Sequence, residues 1–286
     1  MVALEQLQAG IVLPIDKPYR WTSFQAVNKI KAVVRNTYGL KKFKIGHAGT
    51  LDPLATGLLL VCLGKATKSI PRLQDGDKVY TGTMVLGATT PCYDMEQAID
   101  KYYPHEHITP ELIRGAAQKF VGTIQQVPPM FSAVKIDGQR AYELARAENG
   151  ERRTENGEPR AKQIQVYSFE IIDFRKGDCV NALMRDCVST DTITQSHNNA
   201  ISPLPSHAPL SPRLYDNPQC QIPEGLPLVD FRVCCGKGTY IRSLARDFGE
   251  ALGSGAFLSA LRREQVGEYT IQEALNLEDV GAFLCQ

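Results

Sequence analysis

Apolar residues recur along this chain in two periods, and the switches between them mark its elements. Ile11-Val12-Leu13-Pro14-Ile15 reads as a short strand whose proline places it at an edge or a strand end. Asp16 to Ser23 follows as a turn carrying charge and aromatics. Thr22 or Ser23 then caps a helix with the stripe Phe24, Val27, Ile30 and Val34, and Gly39 stops it. Leu58 to Leu63 is fully apolar, as a buried strand is. Lys78 to Gly87 is β-branched and aromatic enough for a second strand, with Tyr80, Gly82, Met84 and Leu86 on one face. Thr109-Pro110-Glu111 supplies a cap, an N1 proline and an acidic first turn to a helix with the stripe Leu112, Ile113, Ala116 and Phe120.

Gln125 to Lys135 is extended and stiffened by Pro128 and Pro129. A short helix around Ala141, Leu144 and Ala145 and a charged loop from Glu148 to Arg160 come next, then a strand from Ile164 to Phe174. From Asp178 to about Pro227 the chain is rich in Ser, Pro, Asn and Thr with weak periodicity, which predicts a disordered insertion. Leu228 to Cys235 is a strand, and a helix with the stripe Ile241, Leu244, Ala245, Phe248 and Leu252 closes at Gly253. Leu258, Leu261, Arg262 and Arg263 follow, with Leu261 on a helix stripe, before a strand-like Gly267 to Ile271 and a short terminal helix. Strands and helices interleave irregularly, without internal repeats. The pattern predicts a single α+β domain over 1–286 with a central mixed or largely antiparallel sheet flanked by helices and loops.

Composition narrows the function. A net charge of +1 announces no global attraction to nucleic acid, so such a partner must meet local basic patches like Lys41-Lys42-Phe43-Lys44. Such a cluster is usually only a solvated face, and its position beside the loop from Gly46 to Gly57 is what favours phosphate contact here. Eight cysteines show neither a C-x-x-C nor zinc-type spacing, and no signal peptide or membrane-length apolar run is present. A reduced, cytoplasmic protein is expected, its cysteines mostly core or loop thiols, working as a monomer and without a membrane partner.

Candidate chemistry centres on Gly46-His47-Ala48-Gly49-Thr50-Leu51-Asp52-Pro53-Leu54-Ala55-Thr56-Gly57. Asp52 precedes a proline, which biases it to extended backbone, and it sits on a glycine-rich loop feeding the buried strand. An ordinary Asx-type turn, with Asp52 bonding its own backbone, fits the same residues. Gly236-Lys237-Gly238-Thr239 lacks the spacing of a nucleotide-triphosphatase loop, yet Lys237 at a helix start can hold a nucleic-acid phosphate; a plain strand-to-helix turn is the alternative. Arg242 lies in the first turn of its helix, where the dipole disfavours a cation. Asp52 would relieve that cost and stay ionised; a solvent-facing arginine is the alternative. Triad and aspartic-protease patterns are missing, and no second carboxylate recommends itself as a glycosidase partner. A glycosidic chemistry using one carboxylate fits better.

The Gly46 to Gly57 stretch resembles the signature loop of TruB-type pseudouridine synthases. Lys78-Val79-Tyr80, Pro128 to Lys135 with Tyr142 to Arg146, and Lys237 to Arg242 with Gly249 to Arg263 match further blocks in order, spanning about residues 11 to 271. The resemblance implies the pseudouridine synthase fold and isomerisation of a uridine in the T-arm of tRNA, without cofactor or metal. It implies that Asp52 attacks the flipped nucleotide, that Tyr80 stacks on its base and is a candidate for proton transfer, and that Arg242 pairs with Asp52. His47 would fill space around the extruded nucleotide, Tyr240 and Leu261 would line the pocket, and Lys17 and Lys237 would join the substrate-binding set. An RNA chaperone of the same fold, working without turnover, is the alternative, and a guide-RNA-dependent synthase a third.

Three departures stand out. The family's turn after the first strand usually reads Lys-Pro-x-Gly-x-Thr-Ser, and here Arg20 replaces the glycine. The Asp178 to Pro227 insertion falls where the family usually has a short connection. The chain ends soon after Arg263, so no C-terminal RNA-binding PUA domain is expected.

Overall fold

The computed structural model describes residues 2–40, 42–130, 160–177 and 221–285, with the backbone of 135–136 and 139–140. The short helix expected around Ala141 to Ala145 and most of the expected insertion lie outside these residues. Ten strands build one sheet: β1 (Ile11–Lys17), β2 (Ile45–His47), β3 (Thr56–Leu63), β4 (Lys78–Leu86), β5 (Gly122–Gln126), β6 (Lys162–Gly177), β7 (Gly225–Cys235), β8 (Ala256–Val266), β9 (Tyr269–Thr270) and β10 (Leu275–Asn276). Their order is β10-β1-β3-β8-β4-β7-β6-β5, with β2 beside β3 and β9 beside β8. The β1–β10 and β3–β8 pairs are parallel and the others antiparallel, so the sheet is mixed and largely antiparallel, as the pattern predicts. The helices are α1 (Leu4–Ala9), α2 (Ser23–Tyr38), α3 (Ile70–Asp75), α4 (Pro110–Gln118), α5 (Ile241–Ala251) and α6 (Val280–Cys285).

Period-two alternation sorts β3 between two cores. Leu59, Val61 and Leu63 join the main cluster with Leu13, Ile15, Val27, Ile30 and Val34, under α2. Leu58, Leu60 and Cys62 point the other way, onto Leu73 and Val266. On β4, Tyr80, Met84 and Leu86 share the main cluster while Val85 packs with Phe257 and Leu228 on the opposite side. Phe120, Phe169, Phe231 and Phe248 meet in edge and tilted contacts at 5.3–6.3 Å, so α4 and α5 dock on β6 and β7 through aromatic rings.

Several expectations need correction. Asp16 and Lys17 belong to β1 rather than to the following turn, because β1 pairs with β3 as far as Lys17↔Gly57. Thr22 is the cap of α2, forming a capping box with Gln25, and Ser23 takes the inward position. The buried stripe is therefore Ser23, Ala26, Val27, Ile30 and Val34, and Phe24, one residue further round, is 69% exposed. Leu112 is likewise exposed, while Ala117 is buried in its place. Strand β7 begins at Gly225, inside the stretch assigned to the insertion. Leu261 sits in β8, not on a helix: Ala256 to Leu261 is apolar because the strand is covered on both faces, and such a run mimics a buried helix.

The turn into β3 leaves no room for a side chain. Gly57 has φ +98°, and a Cβ there would lie 2.4 Å from the carbonyl oxygen and 2.8 Å from the amide nitrogen of Arg263. The two parallel strands β3 and β8 approach at this point, Gly57 facing Arg263. Gly57→Ala should lower the free energy of unfolding by roughly 3 kcal/mol or more, since neither backbone can move without breaking sheet pairing. Urea denaturation measures this, and a loss under about 1 kcal/mol would show that the strands can part.

Candidate active site

Asp52 stands in the loop joining β2 to β3, and four groups from distant parts of the chain hold that loop. Ser23, buried at the start of α2, donates through Oγ to the Leu51 carbonyl (3.2 Å) and accepts from the Leu51 amide (2.9 Å). Lys17, fully buried, donates through Nζ to the carbonyls of Trp21 (2.6 Å), Pro18 (2.9 Å) and Pro53 (3.3 Å). Arg263, also fully buried, donates to the carbonyls of Leu58 (2.8 Å), Gly49 (3.0 Å) and Thr50 (3.5 Å). The loop thus satisfies its carbonyls with two buried cations rather than with water. Asp52 closes its turn through its own carbonyl, which accepts from the Ala55 amide at 3.1 Å.

The fourth group is Arg242. Its Nε and Nη2 donate to Oδ2 and Oδ1 of Asp52, each at 2.9 Å, a parallel two-pronged pair. The arginine side chain is 6% exposed and the aspartate side chain 37%, so the carboxylate is gripped from below and open above. The Asx-type turn is therefore not what Asp52's side chain makes. Arg242 Nη1 also donates to the Cys92 carbonyl at 3.3 Å, and Asp94 Oδ2 lies 3.7 Å from Nε. Burial works against the charge of Arg242, yet Asp52 and then Asp94 outweigh it and raise its pKa. Burial raises the pKa of Asp94, with Arg242 opposing.

Tyr80 lies on β4 directly across from Arg263 on β8, buried in the main core. Burial first, against the charge of Arg263, raises the pKa of its phenol, which is neutral at pH 7. His47 ends β2 half-buried, and burial followed by the charge of Arg263 lowers its pKa, leaving a neutral imidazole. Tyr240 is the extended residue before α5, its amide donating to Gln126 Oε1 (2.8 Å) and its carbonyl accepting from Gln126 Nε2 (3.1 Å). That clamp ties β5 to the residue two before Arg242. Leu261 is half-buried on β8 opposite Gly82, packed against the main core.

The two lysines differ from expectation. Lys17 does not present its ammonium to solvent: it is fully buried, and its hydrogen bonds go to the carbonyls of Pro18 and Trp21 in the turn after β1 and of Pro53 in the loop. Lys237 is exposed and paired with Asp75 at 2.7 Å, and no contact joins it to Asp52. The structure brings Asp52 and Arg242 into contact, sets Lys17 under their loop, and joins Tyr80 to the same loop through Arg263. Sequence reasoning missed Arg263, Asp94, Ser23 and Gln126 as parts of this assembly. None of the four stands out in sequence: Arg263 sits among Arg262, Glu264 and Gln265 in the polar half of β8. Among the described residues no helix is long and apolar enough to cross a membrane.

Comparisons with known proteins place this assembly. The family model for the N-terminal domain of TruB family pseudouridylate synthases matches residues 35–192, and that for the tRNA pseudouridylate synthase B C-terminal domain matches residues 242–286. A tRNA pseudouridine synthase B of Flavobacterium johnsoniae is 44% identical over 96% of this chain and 95% of its own length. That of Phocaeicola vulgatus is 42% identical over 97% and 94% respectively. A crystal structure of a Cbf5-Nop10-Gar1 complex aligns with 97% of this chain at TM-score 0.58 and 27% identity, this chain spanning 55% of that one. The architecture is the α+β pseudouridine synthase fold. The chain belongs to the TruB family of pseudouridylate synthases and is an isomerase of that class.

Two predictions follow from the clamp and its support. Lysine cannot reproduce a two-pronged pair, so Arg242→Lys should lower kcat by about a hundredfold with a folded protein remaining; circular dichroism and single-turnover rates decide it, and a rate within threefold of wild type would show that one point charge suffices. Burial lowers the pKa of Lys17 from its ordinary 10.5 to about 8, with Asp52 the strongest opposing influence. Between those two values the unfolded chain binds more protons at this residue than the folded one, so Lys17 makes stability rise with pH across that window. Lys17→Met should flatten the rise, by at most about 1.4 kcal/mol per pH unit, in urea unfolding series. Parallel curves for the two proteins would mean that Lys17 folds without an altered pKa.

Proposed function

We propose that this enzyme isomerises a uridine in the T-arm loop of tRNA to pseudouridine, with Asp52 as the nucleophile. Relatives named tRNA pseudouridine synthase B, matched over almost their whole length, support tRNA as the substrate. The observation that carries the nucleophile is the Asp52 carboxylate, aimed by a buried arginine and open on its other side. A nucleophile needs a fixed direction and a free lone pair, and the clamp leaves both.

The target base has to leave its stack to reach a carboxylate set in a sheet-edge loop. An oxygen of Asp52 attacks the ribose C1′, and the bond from C1′ to N1 breaks with its electron pair staying on uracil as a delocalised anion. Uracil turns within the site until C5 faces C1′. A C5–C1′ bond then forms as the bond from C1′ to Asp52 breaks, returning its electron pair to the carboxylate. Loss of the C5 proton and gain of one at N1 complete an isomerisation with no net change in atoms. Arg242 stabilises the carboxylate as it leaves the sugar. Neutral Tyr80 offers a ring for stacking and a proton to donate, and neutral His47 fills the wall without adding charge.

Tritium release from 5-tritiated uridine in an unmodified tRNA transcript tests this. The wild type should release one tritium per T-loop, and Asp52→Asn should bind the same tRNA with no release. No release by the wild type on a folded T-arm would sink the reading and favour a chaperone of this fold. A separate comparison addresses Tyr80: Tyr80→Phe should keep the affinity of wild type, and Tyr80→Ala should lower it by about tenfold through lost stacking.

A further inference from the structure

Between Asp16 and Asp52 the chain carries eight Lys and Arg and not one Asp or Glu, although the whole protein holds 32 basic and 31 acidic residues. Such segregation has a place in the fold. Helix α2 buries Ser23, Ala26, Val27, Ile30 and Val34, which leaves Lys29, Lys31 and Arg35 on its exposed side with no carboxylate on the helix. Phe24, Asn28, Lys31 and Arg35 follow one another at helical spacing along that side, over about 16 Å from first to last. Phe24 is 69% exposed, which is uncommon for a phenylalanine with a core beside it. A shallow groove at the start of the helix is lined by Arg20, Trp21, Gln25, Asn28 and Lys29. Cations, amides and an indole edge make up its whole lining.

The backbone of that groove carries a cost. Arg20 has φ 64°, in the left-handed region that glycine enters freely and that a β-carbon disfavours. The Arg20 guanidinium lies over the Tyr19 ring, 5.7 Å from its centroid, which keeps the cation at the mouth of the groove. The groove is also tied to the catalytic loop: Lys17 Nζ bonds the carbonyls of both Trp21 and Pro53, and Ser23, beside the groove, bonds Leu51.

We infer that the Arg20 turn and the exposed side of α2 form a backbone-binding surface for tRNA, gripping phosphates beyond the nucleotide held at Asp52. The partner is a polyanion because nothing acidic interrupts the surface, and an RNA strand because a stacking ring and amides are interleaved with the cations. The inference rests on tRNA being the substrate. Its failure is separable from that of the proposed reaction, because the wild-type tritium assay tests the reaction and binding alone tests the surface.

The experiment measures equilibrium binding of unmodified tRNA transcript from about 50 to 200 mM salt, in an Asp52→Asn background that prevents turnover. Combined Lys29→Gln, Lys31→Gln and Arg35→Gln should weaken binding by about tenfold or more and reduce the slope of log affinity against log salt by about 2. The same three changes in the active enzyme should leave the single-turnover rate at saturating tRNA unchanged. Arg20→Gly should raise the thermal unfolding midpoint and yet weaken tRNA binding about threefold, a pairing that a purely structural arginine would not give. Wild-type affinity and salt slope in the triple variant would overturn the inference. So would an equal loss from Lys101→Gln, Arg114→Gln and Lys119→Gln, which removes the same charge from exposed positions elsewhere.

Discussion

The contact on which this protein depends is the two-pronged pair between Asp52 and Arg242, residues 190 positions apart in the chain. It joins the loop between β2 and β3 to the first turn of α5. An arginine at the positive end of a helix, nine-tenths out of water, is costly by itself. Asp52 and Asp94 are what make it tolerable. Without Asp52 the buried guanidinium would have, among the described residues, only Asp94, 3.7 Å from its Nε, as a counter-charge. The constraint works in both directions: α5 needs the aspartate to keep its arginine, and the aspartate needs α5 to point.

Beneath that pair lies a second layer of charge with a structural task. Among the described residues Lys17 and Arg263 form no ion pair with a carboxylate; Arg263 bonds the carbonyls of Gly49, Thr50 and Leu58, and Lys17 joins Pro53 of the loop to Pro18 and Trp21 of the turn after β1. A loop buried from below would otherwise leave those carbonyls without partners. Each cation is a long side chain rooted in a strand of the sheet, β1 or β8, so the rigidity of the sheet passes directly to residues 49–53. Arg263 also faces Tyr80 across the β4–β8 ladder, placing the aromatic ring and the loop under one guanidinium. Charge at this site is therefore layered: one cation grips the Asp52 carboxylate, and two hold the backbone that carries it.

The Asp52 loop and helix α2 share this support. Ser23 and Trp21 belong to the turn and helix that face outward, yet their polar atoms bind the Asp52 loop and the Lys17 ammonium. Movement of α2 would be felt at Asp52 without any change in the residues touching the uridine. The start of α2 and the Asp52 loop are thereby one mechanical unit.

Local chemistry was legible in the chain itself. The cap at Thr22, the stop at Gly39, the Pro and Glu opening α4 and the alternation in β4 are all short-range effects of side chains on their own backbone. The Gly46 to Gly57 loop was readable for the same reason, since glycines and Asp-Pro dictate its shape within a dozen residues. The pairing of Asp52 with Arg242 was inferred from the electrostatic awkwardness of a cation at a helix start. What only the tertiary structure decided were choices between equal local patterns. Lys17 has the composition of a surface contact and is buried, because β1 continues two residues further than its proline advertised. Leu261 has helical company in sequence and lies in a strand, because a sheet covered on both faces erases the alternation that identifies strands. Arg263 and Asp94 acquired their roles from strands and loops that meet only after folding, and no local propensity encodes a partner so far along the chain.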